Sequence, residues 1–244
     1  MTKKAEKLAK SQPILKLDDV CKIYKLGTQT IRALECIDFS IEAGEFVAVI
    51  GPSGSGKSTF LQVASTLAEP SKGKIFLKGQ EVTNYNEVER AHLRNKEIGF
   101  IFQQFNLLAK TSALDNVALP LVYAGVEMSE RHQRAEALLK KVGLEDRLKN
   151  KSNELSGGGQ QQRVAIARAL INDPSIIFAD EPTGNLDSKN GKEVMALLKK
   201  LHASGRTIIL VTHELDLAKT AQRIIALEDG KLAAEYKPPY KFKS

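Results

Sequence analysis

Apolar positions change their spacing several times along the chain, and each change marks an element. Ile14-Leu15-Lys16-Leu17-Asp18-Asp19-Val20 predicts a strand, and Ile37-Asp38-Phe39-Ser40-Ile41 alternates with the two-residue period of a half-buried one. Phe46-Val47-Ala48-Val49-Ile50 is apolar throughout, the pattern of a strand covered on both faces. A glycine-rich stretch follows, then a helix predicted to run to about Leu67. Gly73 to Gly79 and Ile98 to Phe102 predict two further strands. Between Ser112 and Lys149 the β-branched runs vanish, and Ala135, Leu138, Leu139 and Val142 fall at helical spacing. Strand patterns return at Ile176 to Ala179 and Thr207 to Thr212, each followed by a helix. The last pair, Ile224 to Leu227 and Lys231 to Ala234, flanks the turn residues Asp229-Gly230.

Strands alternating with helices predict an α/β fold built on a mostly parallel sheet. An all-helical stretch, about residues 105–160, is inserted into it. Residues 14–235 read as one folded domain, between a polar tail at 1–13 and a basic tail at 236–244. There is no internal repeat and no low-complexity tract.

Charge and cysteine content narrow the picture. The formal charge is +7 and the pI about 9.3, a balance that suits an anionic partner. The basic residues are nevertheless scattered, as in Arg131 to Lys151, where Glu136, Glu145 and Asp146 interleave with them. That is the pattern of solvated helix faces, and no nucleic-acid partner is expected. No apolar run approaches bilayer length, so any membrane span would be supplied by another chain. The charged opening Met1-Thr2-Lys3-Lys4-Ala5-Glu6-Lys7 has no apolar stretch behind it and predicts no signal peptide. Cys21 and Cys36 lack metal-ligand spacing and read as two free, buried thiols suited to a reducing compartment.

Gly51-Pro52-Ser53-Gly54-Ser55-Gly56-Lys57-Ser58-Thr59 fits G-x-x-x-x-G-K-[ST] between a buried strand and a helix. Its glycines let backbone N–H groups turn inward around a phosphate, and the helix offers its positive end to the same anion. Lys57 places a point charge on the β and γ phosphates, and the Ser58 hydroxyl can ligate Mg²⁺. The strand Ile176-Ile177-Phe178-Ala179 ends in Asp180-Glu181. In a parallel sheet Asp180 is placed to hold Mg²⁺, and Glu181 to orient and deprotonate an attacking water. A second glycine-rich loop, Leu155-Ser156-Gly157-Gly158-Gly159-Gln160, opens another helix and offers a second anion site.

These three clusters together resemble the ATP-binding cassette (ABC) ATPases, over about residues 14–235. The resemblance implies a P-loop NTPase, RecA-like core with an antiparallel β subdomain and an inserted helical subdomain. It implies that Ser156, Gly157, Gly158, Gly159 and Gln160 form the signature, which touches the γ-phosphate bound by a second copy of the chain. Tyr24 then stacks on adenine, and Gln103 contacts Mg²⁺ and the water. Asp187 lies in the loop that crosses the dimer interface, and His213 stands near the γ-phosphate. The substrate implied is ATP with Mg²⁺, in a head-to-tail homodimer on the cytoplasmic face of a membrane, coupled to a separate membrane subunit.

Phe102-Gln103-Gln104-Phe105-Asn106-Leu107 and the run Ala179 to Ser188 look like the branch that drives lipoprotein release, macrolide export and related cell-envelope work. A soluble ABC protein acting on nucleic acid or ribosome is the less favoured reading. The stretch between Lys57 and Ser156 holds no sustained heptads, and there is one cassette. A slowly cycling signalling module is the other alternative, since the family signature has two glycines between serine and glutamine and this chain has three. A glycine in that loop is expected to absorb the extra residue, leaving Val164, Ala167 and Ile171 facing the core.

Overall fold

A computed structural model describes residues 12–240. Of the predicted tails at 1–13 and 236–244, residues 1–11 and 241–244 lie outside the described residues. The start of the second is corrected, since Tyr236 ends a strand and Tyr240 packs on the core and donates to the Ala221 carbonyl. Two sheets and a helical lobe make up the fold. The first sheet contains β1 (Leu15–Leu26), β2 (Gln29–Ile41), β4 (Lys72–Leu77) and β5 (Gln80–Glu81), antiparallel in the order β2-β1-β4-β5. The second contains β3 (Phe46–Ile50), β6 (Ile98–Ile101), β7 (Ile176–Asp180), β8 (Thr207–Val211), β9 (Arg223–Glu228) and β10 (Lys231–Tyr236). Its order is β10-β9-β3-β8-β7-β6, and every pairing except β9–β10 is parallel. β3 and β8 are buried along their whole length, as continuous apolar runs in the middle of a covered parallel sheet must be.

Helices cover this sheet. α1 (Lys57–Ala64) buries Phe60, Leu61, Val63 and Ala64 between the two sheets. It stops short of the predicted Leu67, with Thr66 in a left-handed conformation just beyond it. α2 (Glu87–Glu97) has no counterpart in the hydrophobic pattern, because Arg90 is its one buried residue. It is held at its start by a reciprocal cap between Asn86 and Glu89. α3 (Ala113–Tyr123), α4 (Met128–Lys141) and α5 (Gly157–Leu170) build the lobe. Val117 and Leu121 of α3, Ala135 and Leu139 of α4, and Val164 and Ala167 of α5 meet in one core, separate from those under the sheets. Emptying a site such as Leu139 would cost about 2–5 kcal/mol. α6 (Ser188–Ala203) and the short α7 (Leu215–Ala218) pack against the opposite face of the parallel sheet.

The cysteine expectation is corrected. β1 and β2 are far longer than their apolar cores suggest and form a hairpin around Gly27-Thr28. Between the pairs Val20↔Ile37 and Lys22↔Leu34, β2 carries one extra residue, so Glu35 and Cys36 together face Cys21. Cys21 and Cys36 are joined there as a disulfide, with Cα atoms 4.1 Å apart. Neither thiol is free, and Cys36 is exposed. The inference of a reducing compartment from free thiols falls with them.

Candidate active site

Parallel strands release their chains at one edge, and the register makes that edge a site. Val49 of β3, Val211 of β8 and Asp180 of β7 lie in one row across the sheet. The loop after β3, His213 after β8 and Glu181 after β7 therefore emerge side by side. The loop before α1 wraps tightly. Gly54 and Gly56 take φ of 80° and 101°, and a Cβ on Gly56 would lie 2.5 Å from the Ala33 carbonyl oxygen. A Cβ on Gly51 would collide with the Leu227 carbonyl, so both positions require glycine. The Lys57 ammonium donates to the carbonyl oxygens of Gly51 and Pro52, each at 2.8 Å. Its charge thus lies across the mouth of the loop.

Glu181 sits at φ 41°, a left-handed conformation costing about 1–3 kcal/mol for a residue with a side chain. Two backbone bonds hold it there, from its own N–H to the Val211 carbonyl (2.9 Å) and from the Gly184 N–H to its carbonyl (3.0 Å). The result turns its carboxylate to within 2.9 Å of His213 Nδ1. Burial raises the Asp180 pKa, the adjacent Glu181 charge raises it further, and Lys57 opposes both. A pair of neighbouring carboxylates in a partly buried setting is relieved by a cation. The nearby donors, the Ser58 hydroxyl and the Asp180 carboxyl, are oxygens of the kind Mg²⁺ takes.

A cleft of about 1230 Å³ runs along this edge. The phosphate loop from Gly51 to Thr59, apart from Ser55, lines it together with Glu181 and His213. Ser55 is buried beneath, its backbone carbonyl accepting from the Gly230 N–H at 3.0 Å. Thr30, Ile31, Arg32, Ala33 and Glu35 of β2 and the turn Asp229-Gly230 form the remaining wall, which the sequence reading missed. Segment 30–35 mixes polar and apolar residues with no period that marks a site. Asp229-Gly230 reads only as a hairpin turn, and it is the register that brings it under the loop.

The other predicted residues do not line the cleft. Tyr24 is half-buried on β1 directly opposite Ile31. It carries the Lys22 ammonium 5.1 Å from its ring centroid, at the rim where Ile31 reaches the cleft. Gln103 follows β6 and lies against Gly184, where a Cβ would stand 2.6 Å from its Nε2. Asn185 donates to its backbone carbonyl at 3.0 Å. Asp187 is exposed and caps α6 by accepting from the Asn190 N–H at 2.9 Å. Hydrogen bonds from the Asn190 backbone and side chain hold its carboxyl below the ordinary aspartate range.

The signature loop is a looser structure. Ser156 makes no side-chain cap to α5, although its N–H donates to Gln160 Oε1 at 3.0 Å. Gly157 has φ 63° and open space around it. Gly158 packs on Leu186 and Phe105, and Gly159 is buried directly against Asn190. Gly157, the first residue of α5, is the one glycine of the three with a left-handed backbone, and the helix beyond keeps Val164, Ala167 and Ile171 buried.

A lysine-tipped glycine loop between a buried parallel strand and a helix, facing a strand-end acid pair, defines a P-loop ATPase. Known proteins place it more closely. The family model described as ABC transporter matches residues 34–184. An ABC transporter ATP-binding protein of Thermotoga maritima is 51% identical over 219 residues, covering 90% of this chain and 93% of that one. The macrolide export ATP-binding/permease protein MacB of Chlorobium phaeobacteroides is 51% identical over 223 residues, covering 91% of this chain. This chain spans only 34% of that longer protein. Among solved structures, an ATP-binding cassette captured as a dimer in a post-hydrolysis state with ADP and Pi superposes with a TM-score of 0.84. It is 46% identical, over 91% of this chain and 98% of its own. The chain belongs to the ABC transporter family, as an ATP-binding subunit with ATPase activity.

Proposed function

We propose that this chain is the motor of a transporter whose membrane span lies in a separate polypeptide, and that two copies close head to tail around two ATP molecules. The observation that carries the reading is the meeting of Lys57, Glu181 and His213 at one cleft. Lys57 draws the β and γ phosphates into the loop, competing away its own carbonyl contacts. Glu181, held rigid by its backbone bonds, accepts the proton of a water attacking the γ-phosphate in line. His213, at 2.9 Å, orients that carboxylate. Mg²⁺, which Ser58, Asp180 and Gln103 would hold, supplies charge neutralisation on the phosphates when bound. The second wall of each site is the partner's Ser156–Gln160 loop, a pairing supported by the dimeric state of the similar cassette.

Coupling to a membrane chain is supported by a groove of about 360 Å³ between the helical lobe and the core. Leu67, Phe102, Leu119, Pro120 and Tyr123 line it, with Arg168 among them. Tyr123 is 71% exposed there, which suits a helix docking from outside. No helix among the described residues is long and apolar enough to cross a membrane. Relatives whose names join ATP-binding to permease suggest export or related cell-envelope work, and the cytoplasmic face of the membrane as the place of action. Tyr123→Asp should abolish co-purification with the membrane subunit and leave hydrolysis by the isolated chain within twofold. Retained co-purification would contradict the groove as the docking face.

A further inference from the structure

Gln162 is fully buried, in the second turn of α5, where the sequence pattern has apolar neighbours at Ala165 and Ile166. A buried amide must account for its donors. Its Nε2 donates to the carbonyl oxygens of Pro182 at 2.7 Å and Phe102 at 3.3 Å. Both partners are acceptors, so the orientation of the amide is fixed by the bonds it makes. Those carbonyls are not arbitrary. Phe102 immediately precedes Gln103, and Pro182 immediately follows Glu181, whose left-handed backbone the loop must maintain.

α5 touches the Gln103 loop elsewhere, through Arg168 bonds to the carbonyls of Phe105 and Asn106. Gln162 joins that loop and the Glu181 loop through one side chain. The same helix begins with the signature, so one rigid rod connects the proposed partner-facing loop to the backbone on either side of the reacting water.

We propose that Gln162 is a positioning residue for hydrolysis: its amide sets the Pro182 carbonyl, and through it the Glu181 carboxylate, according to where the signature helix sits. ATP binding does not require it, because the phosphate loop and Lys57 are anchored on β3 and α1. The proposal rests on Glu181 as the residue that activates water. Glu181→Gln alone tests that separately.

Gln162→Met keeps length and removes the donor. Gln162→Asn keeps an amide and withdraws it by one methylene. Each should lower kcat by about tenfold or more, the scale of a small misplacement of reacting groups. The nucleotide KM and the affinity for a non-hydrolysable ATP analogue should stay within twofold, and ATP should still dimerise Gln162→Met in a Glu181→Gln background. If the methionine variant does not fold, the asparagine variant decides. Wild-type kcat in either folded variant, or affinity falling in step with kcat, overturns the proposal. Failure of both to fold makes Gln162 a structural brace and overturns it too.

Discussion

The chain has two glycine-rich loops at helix starts, and they are built to different standards. The loop from Gly51 to Thr59 is closed on itself: two glycines are locked by neighbouring backbone, and Lys57 is bonded at two points. The loop from Ser156 to Gln160 has an open, left-handed Gly157 and no side-chain helix cap. One is a complete anion cradle whose shape is determined within the chain. The other is anchored through Gly158 and Gly159 to the segment 185–190 and leaves its N-terminal end open at Gly157. On the proposed pairing, nucleotide binding is a property of the single chain, whereas hydrolysis is a property of the pair.

The comparison can be broken first at the chemistry. Glu181→Gln keeps the shape of the carboxylate but cannot take a proton. Steady-state hydrolysis should fall about a thousandfold, within the range of lost general-base catalysis, while Mg-ATP binding persists. With hydrolysis stalled, ATP should hold two chains together. Size-exclusion chromatography should show a dimer for this variant, and a variant that stays monomeric at high ATP would count against the shared site.

Lys57→Ala attacks the complete cradle. Removing the charge on the β and γ phosphates should weaken Mg-ATP binding by about a hundredfold, the worth of one or two charge-assisted hydrogen bonds. Unchanged affinity by calorimetry would remove Lys57 from its assigned role.

Smaller effects separate the glycines of the looser loop. Gly159→Ala drives a methyl into Asn190, which the Asp187 cap holds in place. Overpacking of that kind costs about 1–3 kcal/mol, and thermal denaturation should show the melting temperature down by several degrees. Deleting Gly157 should move it by no more than about 2 °C, since nothing packs there, and hydrolysis should hold or rise. Equal losses from the two changes would mean that Gly157 is as fixed as Gly159.

Much of the catalytic edge is legible in the sequence because it rests on local rules. The apolar runs Phe46–Ile50, Ile176–Ala179 and Thr207–Thr212 announce buried parallel strands, and the candidate site residues follow their C-terminal ends. What stays hidden depends on register. The wall at 30–35 and the Cys21–Cys36 bond follow from a long hairpin whose outer half mixes polar and apolar residues without a clean period. The bulge at Glu35-Cys36 that seats the disulfide leaves no apolar signature. α2 is hidden because it buries an arginine rather than an apolar stripe. Gln162 is hidden because three glutamines in a row read as a polar helix start, and only the packing shows which of them points inward.

The central claim, that each site joins the phosphate loop of one chain to the signature of another, is tested most directly by mixing two disabled variants. Lys57→Ala retains its signature, and Ser156→Arg retains its phosphate loop; each alone should be nearly inactive. In a mixed dimer one composite site is whole, so an equal mixture should recover up to about a quarter of the wild-type rate. A mixture no faster than the sum of its parts would contradict a site shared between chains.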